Sequence, residues 1–324
     1  MFASLFKQSS NFSKFIFILF SILVGFTLFM FLGFLIAIPL FGVNLNDLTL
    51  NLKASNPSNI PILKYLQAVY SIGLFVFPPI MVAYFLNGKI GEYLKTDKVP
   101  LLISASIVCL IMVFALPLIN YLMLINESIK FPSSLAGFEH ELKALENETQ
   151  ELSKSFLKAD SLWIYFANLV VMAVIPAIGE ELLFRGVFQQ LFKDWTKNIH
   201  VAIWFTAFLF SAMHMQFYGF IPRMILGALF GYLFYWSGNL WLAILAHFVN
   251  NSIAVTAFYV SNNLAEKADT IGAHIEISIE LILSILLVST LIYSFIKIEK
   301  EKRIKLQKLE IEMREIDSES KNAE

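Results

Sequence analysis

The sequence predicts an all-α, polytopic integral membrane protein with about eight transmembrane helices and its polar chemistry inside a helical bundle. Three observations lead there. The 324 residues are 57% hydrophobic and only 15% charged, whereas an average soluble domain is about a quarter charged. The apolar residues gather in eight runs, roughly 15–41, 65–87, 99–124, 161–188, 198–216, 219–236, 239–260 and 276–297, each near the ~20 residues a helix needs to cross a bilayer. Backbone groups in lipid must be satisfied within their own segment, which makes such runs helices.

The first run is too long for a signal-peptide core and lacks a cleavage-like boundary, so it is expected to be a retained span. Orientation follows from the basic residues. Lys7 and Lys14 precede the first run, Lys89, Lys95 and Lys98 fill the second loop, and Lys193 and Lys197 lie in the fourth. Six more basic residues occur from Lys297 to Lys308. With eight spans all of these fall on one side, which the positive-inside rule makes cytoplasmic. Both termini are therefore expected in the cytoplasm, with the chain integral to the cell membrane. The net charge of −1 argues neither for nor against nucleic acid, and no nucleic-acid partner is expected. Cys109 is the only cysteine, so no intrachain disulfide can form.

Two stretches are not membrane-like. Residues 125–160 carry seven acidic and four basic residues, and Phe138, Leu142, Leu145, Leu152 and Phe156 recur there at helical spacing. An amphipathic helix lying on the outer leaflet is expected, in preference to a substrate-binding cap. Its "HELKA" at His140 begins like a zinc-protease helix but has Ala144 where the second histidine belongs, and is set aside. From Lys297 onward the sequence reads as a charged helix, solvated and frayed toward Glu324.

Charges inside apolar runs carry the functional information. "PAIGEELLFRGVF", Pro176 to Phe188, holds two glutamates and an arginine. An ionisable residue deep in a span costs at least ~2.5–3.5 kcal/mol, so each should face the protein interior with a partner. Glu181 and Arg185 stand at i, i+4 with the acid first, the better order for an ion pair. Glu180 is turned ~100° from Glu181 and is left over. His214 in "FSAMH" lies one turn beyond Phe210, and Asn251 in "HFVNN" one turn beyond His247. His140 and His274 fall in loops and His200 at a span's edge, so His214 and His247 alone among the histidines lie well inside apolar runs. Taken singly, each of these reads as interhelical polar glue. Converging from three helices, they make a candidate reactive centre.

The three spacings are EExxxR (Glu180, Glu181, Arg185), FxxxH (Phe210, His214) and HxxxN (His247, Asn251). Together with "GALFGYLFYWSGNLWLAILAHFVNN" they resemble the CAAX-protease and bacteriocin-processing (CPBP, or Abi) family of intramembrane proteases, over about residues 160–260. Hydropathy divides the chain into four parts, three N-terminal spans over 1–124, the acidic amphipathic segment at 125–160, a membrane core at 161–260, and a last span with charged tail at 261–324; the resemblance covers the third alone and implies that it is catalytic. The resemblance also implies hydrolysis of a peptide bond of a membrane-associated or hydrophobic peptide or protein substrate, with the bilayer as the other partner. Glu180 would be the base that activates water and His214 would help to hold it. His247 and Asn251 would stabilise the oxyanion, and Glu181, Arg185 and Phe210 would support the site.

Glu180, His214 and His247 would equally make a His₂Glu zinc site with an open position for water. The metal-free glutamate mechanism is the slightly preferred reading. A proton-coupled transporter or a non-catalytic scaffold would use the same buried Glu and His residues, although no repeated half with interrupted helices is visible. Residue counting places Glu180 and His214 at depths roughly 15 Å apart at 1.5 Å per residue, a separation the fold must close.

Overall fold

The computed structural model describes residues 8–44, 56–129, 131–264 and 278–322. Lys7, Lys130, His274 and the start of the last apolar run lie outside the described residues. The chain is all-α, and among the described residues no strand occurs. The principal helices are α1 Asn11–Phe41, α2 Pro57–Asn87, α3 Leu102–Phe114, α4 Leu116–Ser128, α5 Ala136–Leu157, α6 Leu162–Thr196, α7 Ile199–Ala212, α8 Phe220–Ser237, α9 Leu240–Leu264 and α10 Ile279–Asn322.

Each apolar run of the sequence contains a helix, but the runs are not equivalent. Among the described residues, five helices are long and apolar enough to cross a membrane: α1, α2, α6, α9 and α10. The pair α3 and α4 makes a sixth if its 43° bend is counted within one span. The bend has a local cause, because Pro117 lacks the N–H that would continue the ladder and its ring crowds the preceding turn. Helix α7 has 14 residues, ~21 Å at 1.5 Å per residue, against ~30 Å of hydrocarbon.

Proline also shapes the two helices nearest the polar residues. The π-helical turn Ile72–Val76 in α2 is followed by Pro78 and Pro79, and the turn Val170–Val174 in α6 by Pro176. A widened turn relieves the clash that a proline ring would make with the carbonyl four residues back. Pro176 cannot donate to the Met172 carbonyl, and the Asn251 amide from α9 reaches that oxygen at 3.4 Å. A second π turn, Phe184–Gln189, follows the two glutamates.

Small residues let the helices approach. A Cβ at Gly179 would stand 2.8 Å from Phe75 Cβ and 3.1 Å from Val76 Cγ2, so only glycine allows α6 to lie this close to α2. On α8, the carbonyls of Gly227 and Gly231 accept from Arg185 Nη2 at 2.8 Å and from Gln189 Nε2 at 3.1 Å. Successive turns of α6 are thereby fastened to successive turns of α8.

The C-terminal helix departs from the expected solvated tail. Glu299 is buried, accepting from the Ser104 hydroxyl of α3 and paired with Lys302 at 3.1 Å. Arg303 donates to the Trp236 carbonyl of α8 at 2.7 Å. The first charged turns of this segment are docked because neighbouring helices offer partners for them.

Gly179→Ala should force α6 away from α2. Overpacking of this kind costs about 1–3 kcal/mol, and the expected result is a lower thermal unfolding midpoint of the purified protein in detergent micelles.

Candidate active site

The site is assembled on the short α-helical stretch Ile175–Leu183 of α6, between its two π turns. Glu181 and Arg185 are both buried, with Oε1 and Nη1 2.6 Å apart. The guanidinium lies 4.7 Å from the Phe210 ring centre, 5.5 Å from that of Phe230 and 6.0 Å from that of Phe184. Three aromatic rings and the Gly227 carbonyl thus share the cation with Glu181, which makes burying it tolerable.

Glu181 has a second task that the spacing did not reveal. The same Oε1 lies 2.9 Å from His247 Nδ1 on α9. A carboxylate in contact with a ring nitrogen calls for the proton on that nitrogen, so Nδ1–H donates and Nε2 faces outward. Nε2 stands 3.8 Å from Glu180 Oε2, beyond direct hydrogen-bonding distance and in the range where a bridging water is to be expected. Phe230 stacks on the His247 ring at 5.2 Å and Phe210 meets it edge-on at 5.8 Å, so the ring is clamped.

His214 is fixed by a different device. It sits in the turn just after α7, where its Nδ1 lies 2.9 Å from the Phe210 carbonyl. A carbonyl only accepts, so Nδ1 donates here too and Nε2 is left for other work. Phe210 makes edge contacts with both histidines and underlies Arg185, which explains why an FxxxH spacing needs an aromatic ring at its first position. Asn251, one turn beyond His247, donates to Met172 and accepts from Asn250 at 3.2 Å.

Glu180, His214, His247 and Asn251 all line one cavity of about 780 Å³, together with Phe210. The 15 Å depth difference counted from the sequence does not arise. Helix α6 runs on to Thr196, which puts Glu180 near its middle rather than toward one end. Helix α7 is too short to carry His214 across a bilayer.

Among the described residues, no three His, Cys, Asp or Glu side chains are gathered closely enough to hold a metal ion. In this arrangement Glu180, His214 and His247 do not form a ready ligand set.

Sequence reasoning overlooked Arg223 and Gln216, which line the same cavity. Arg223 Nη2 donates to Gln216 Oε1 at 2.6 Å, and its Nη1 is buried without an acceptor. The signal was available: an arginine within the first turn of an apolar helix meets the criterion that singled out Glu180.

The acidic helix α5 differs from expectation as well. Phe138 and Leu145 are exposed, while Glu146 and Phe156 are buried and Thr149, Leu152, Ser153 and Phe156 line the cavity. The helix takes the position of a cap. Its inward face keeps Leu152 and Phe156 of the apolar stripe but takes in Glu146, which finds a partner there, the backbone N–H of Tyr218 at 3.1 Å.

Residues 162–253 match the family model of type II CAAX prenyl endopeptidase Rce1-like proteins. This segment is similar to that family, and the match leaves the rest of the chain uncovered. It contains all three motifs and matches closely the span over which the resemblance was read. An uncharacterised protein of Bacillus subtilis (strain 168), YpbD, is 28% identical over 90 residues, covering 26% of this chain and 43% of that protein. The match thus spans less than half the length of that curated relative. No solved structure matches.

Truncating one side of the buried pair leaves the other charge stranded, at a cost of about 3–5 kcal/mol. Glu181→Gln should therefore lower the yield of monodisperse protein and its unfolding midpoint, and Arg185→Lys should lower both as well although it keeps the charge. Lysine fails because one ammonium cannot serve both Glu181 and the Gly227 carbonyl in the geometry of the guanidinium fork.

Proposed function

We propose that this protein is an intramembrane endopeptidase that hydrolyses a peptide bond of a membrane-associated or hydrophobic peptide or protein substrate. The observation that carries the reading is Glu180 Oε2. It is buried, has no hydrogen-bond partner within the protein, and stands 3.8 Å from a clamped His247 in the cavity. The Rce1-like family match over 162–253 supports the reaction class.

Glu180 takes a proton from a water held beside it, with His214 Nε2 steadying that water, and the oxygen adds to the scissile carbonyl carbon. The carbonyl oxygen becomes an oxyanion that His247 and Asn251 stabilise. His247 donates from Nε2 with a proton taken up from solvent before the water adds and kept through the cycle, while Nδ1–H stays engaged with Glu181. Preorganised donors in a water-poor site contribute about 2.7–4 kcal/mol each to such a transition state. Glu180 then delivers its proton to the leaving amine, which closes the cycle. The metal-free route is the preferred reading because Glu180 Oε2 and His247 Nε2 face each other at 3.8 Å, a spacing that suits a bridging water. The protein is further proposed to lie in the plasma membrane with both termini cytoplasmic, from the distribution of its lysines and arginines.

Glu180→Gln should abolish cleavage of a quenched peptide library and leave the unfolding midpoint within about 1 kcal/mol equivalent of wild type, since no ion pair is broken. His247→Ala should lower kcat far more than it raises KM, because an oxyanion donor acts chiefly in the transition state. Chelators should leave activity unchanged. A stoichiometric metal in the purified protein, lost in His247→Ala together with activity, would replace the metal-free route with the zinc one. A folded wild type that cleaves no peptide or membrane substrate would remove the protease reading altogether.

Orientation is open to a separate check. Single cysteines placed within residues 130–158 of a Cys109→Ala background should be labelled from outside the cell, and those placed near both termini only after permeabilisation.

A further inference from the structure

The cavity has walls of two origins. Glu180, His214, His247 and Asn251 come from the segment that matches the Rce1-like family, residues 162–253. Thr149, Leu152, Ser153 and Phe156 come from α5, which lies outside that match. The four stand at i, i+3, i+4 and i+7, one face of a helix.

That face is held in place at both ends. Toward its N-terminus, Glu146 accepts from the Tyr218 backbone, the Tyr218 hydroxyl donates to Glu139 at 3.2 Å, and Lys143 pairs with Glu139 at 2.7 Å. Tyr218 belongs to the connection between His214 and α8, and Asn126 of α4 grips that connection at the Phe217 carbonyl and the first turn of α8 at the Ile221 N–H. At its C-terminus, the Leu157 carbonyl accepts from Asn168 of α6, whose own side-chain oxygen accepts from Lys64 of α2 at 2.6 Å. A helix merely resting on a leaflet would need none of these bonds.

The chemistry of the face is one-sided. Ser153 donates its hydroxyl to the Thr149 carbonyl and Thr149 donates to Leu145, each at 2.9 Å. Their hydroxyl protons are used within the helix, so what they show the cavity is mainly hydrocarbon and lone pairs. Phe156, 6% exposed, and Leu152 are apolar. An anionic group brought against this wall would lose its hydration and find no free donor on it.

We infer that α5 is the specificity wall of the site. Phe156 and Leu152 limit the size of one apolar substrate side chain near the scissile bond, and Thr149 and Ser153 complete its uncharged surround. Substrate choice is then set by an element outside the Rce1-like segment, while that segment supplies the reacting groups. This rests on the protease reading for its kinetic consequence, and on the cavity geometry alone for its binding consequence.

The test uses the full-length protein in detergent or liposomes with peptides varied at one position at a time. Phe156→Ala should raise kcat/KM for a bulky aromatic at one position by about 10-fold or more relative to a small aliphatic, the range that one or two methylenes command in a hydrophobic pocket. Ser153→Asp should improve lysine or arginine at that same position by a similar factor. Independently of turnover, a peptide carrying a benzophenone side chain at that position should crosslink to residues 149–156 in Glu180→Gln, which leaves α5 unaltered.

Altered selectivity at a single position together with crosslinking to α5 supports the inference. Wild-type cleavage with an unchanged selectivity profile and crosslinks elsewhere overturns it and leaves the protease reading standing. Crosslinking to α5 without any cleavage overturns the protease reading and retains α5 as a peptide-binding wall. Neither cleavage nor crosslinking overturns both. Should Phe156→Ala not fold, Leu152→Ala and the crosslinking experiment decide.

Discussion

One carboxylate oxygen organises the centre of this protein. Glu181 Oε1 meets Arg185 Nη1 at 2.6 Å and His247 Nδ1 at 2.9 Å. The arginine continues to the Gly227 carbonyl, so a single acceptor joins α6, α8 and α9. Where neither water nor lipid offers hydrogen bonds, such a junction persists because every way of breaking it leaves a charge unpaired. With Glu181 turned into the junction, helix geometry turns Glu180 away from it. The adjacent acids therefore have opposite fates. One is spent on structure through its Oε1, and the other lines the cavity with an oxygen that no protein donor reaches.

The pairing of Glu181 with Arg185 was legible because i, i+4 contacts are fixed by the helix itself and owe nothing to the rest of the fold. The same holds for Phe210 with His214, where the histidine bonds back to the phenylalanine carbonyl. The leftover status of Glu180 followed by subtraction. That His247 leans on Glu181 was not legible, since nothing in the spacing of one helix states which neighbour it meets. Arg223 escaped notice for a plainer reason. It stands two residues past Ile221, at the start of a run read only for its apolar content.

Span boundaries were the least legible feature. A run of apolar residues records where lipid or protein interior could be tolerated, and it does not distinguish the two. Helix α7 is apolar yet only 14 residues long, while α6 continues well past the end of its apolar run because Gln189 bonds to the Gly231 carbonyl of α8 and Leu191 and Phe192 pack in the core. Helix α5 misled in the reverse direction. Counting its apolar residues gave a stripe, but the buried face includes Glu146, whose burial is offset by a backbone donor on a distant connection. Amphipathic pattern assigns a face by composition; partners assign it in fact.

The irregular backbone of α6 follows from the same constraint. Its stretch Ile175–Leu183, which bears both glutamates, lies between two π turns, and Gly179 lets it press against α2. Non-helical or widened backbone at membrane depth is tolerated only where protein encloses it and re-satisfies its polar groups. Here that enclosure is specific: the carbonyl that Pro176 cannot engage receives the Asn251 amide. The proline that disturbs α6 thus supplies the anchor for a residue of α9, and it does so one turn from the carboxylate that the disturbance positions. Buried polar groups around the cavity are mutually dependent for this reason, and each holds its place only while the others hold theirs.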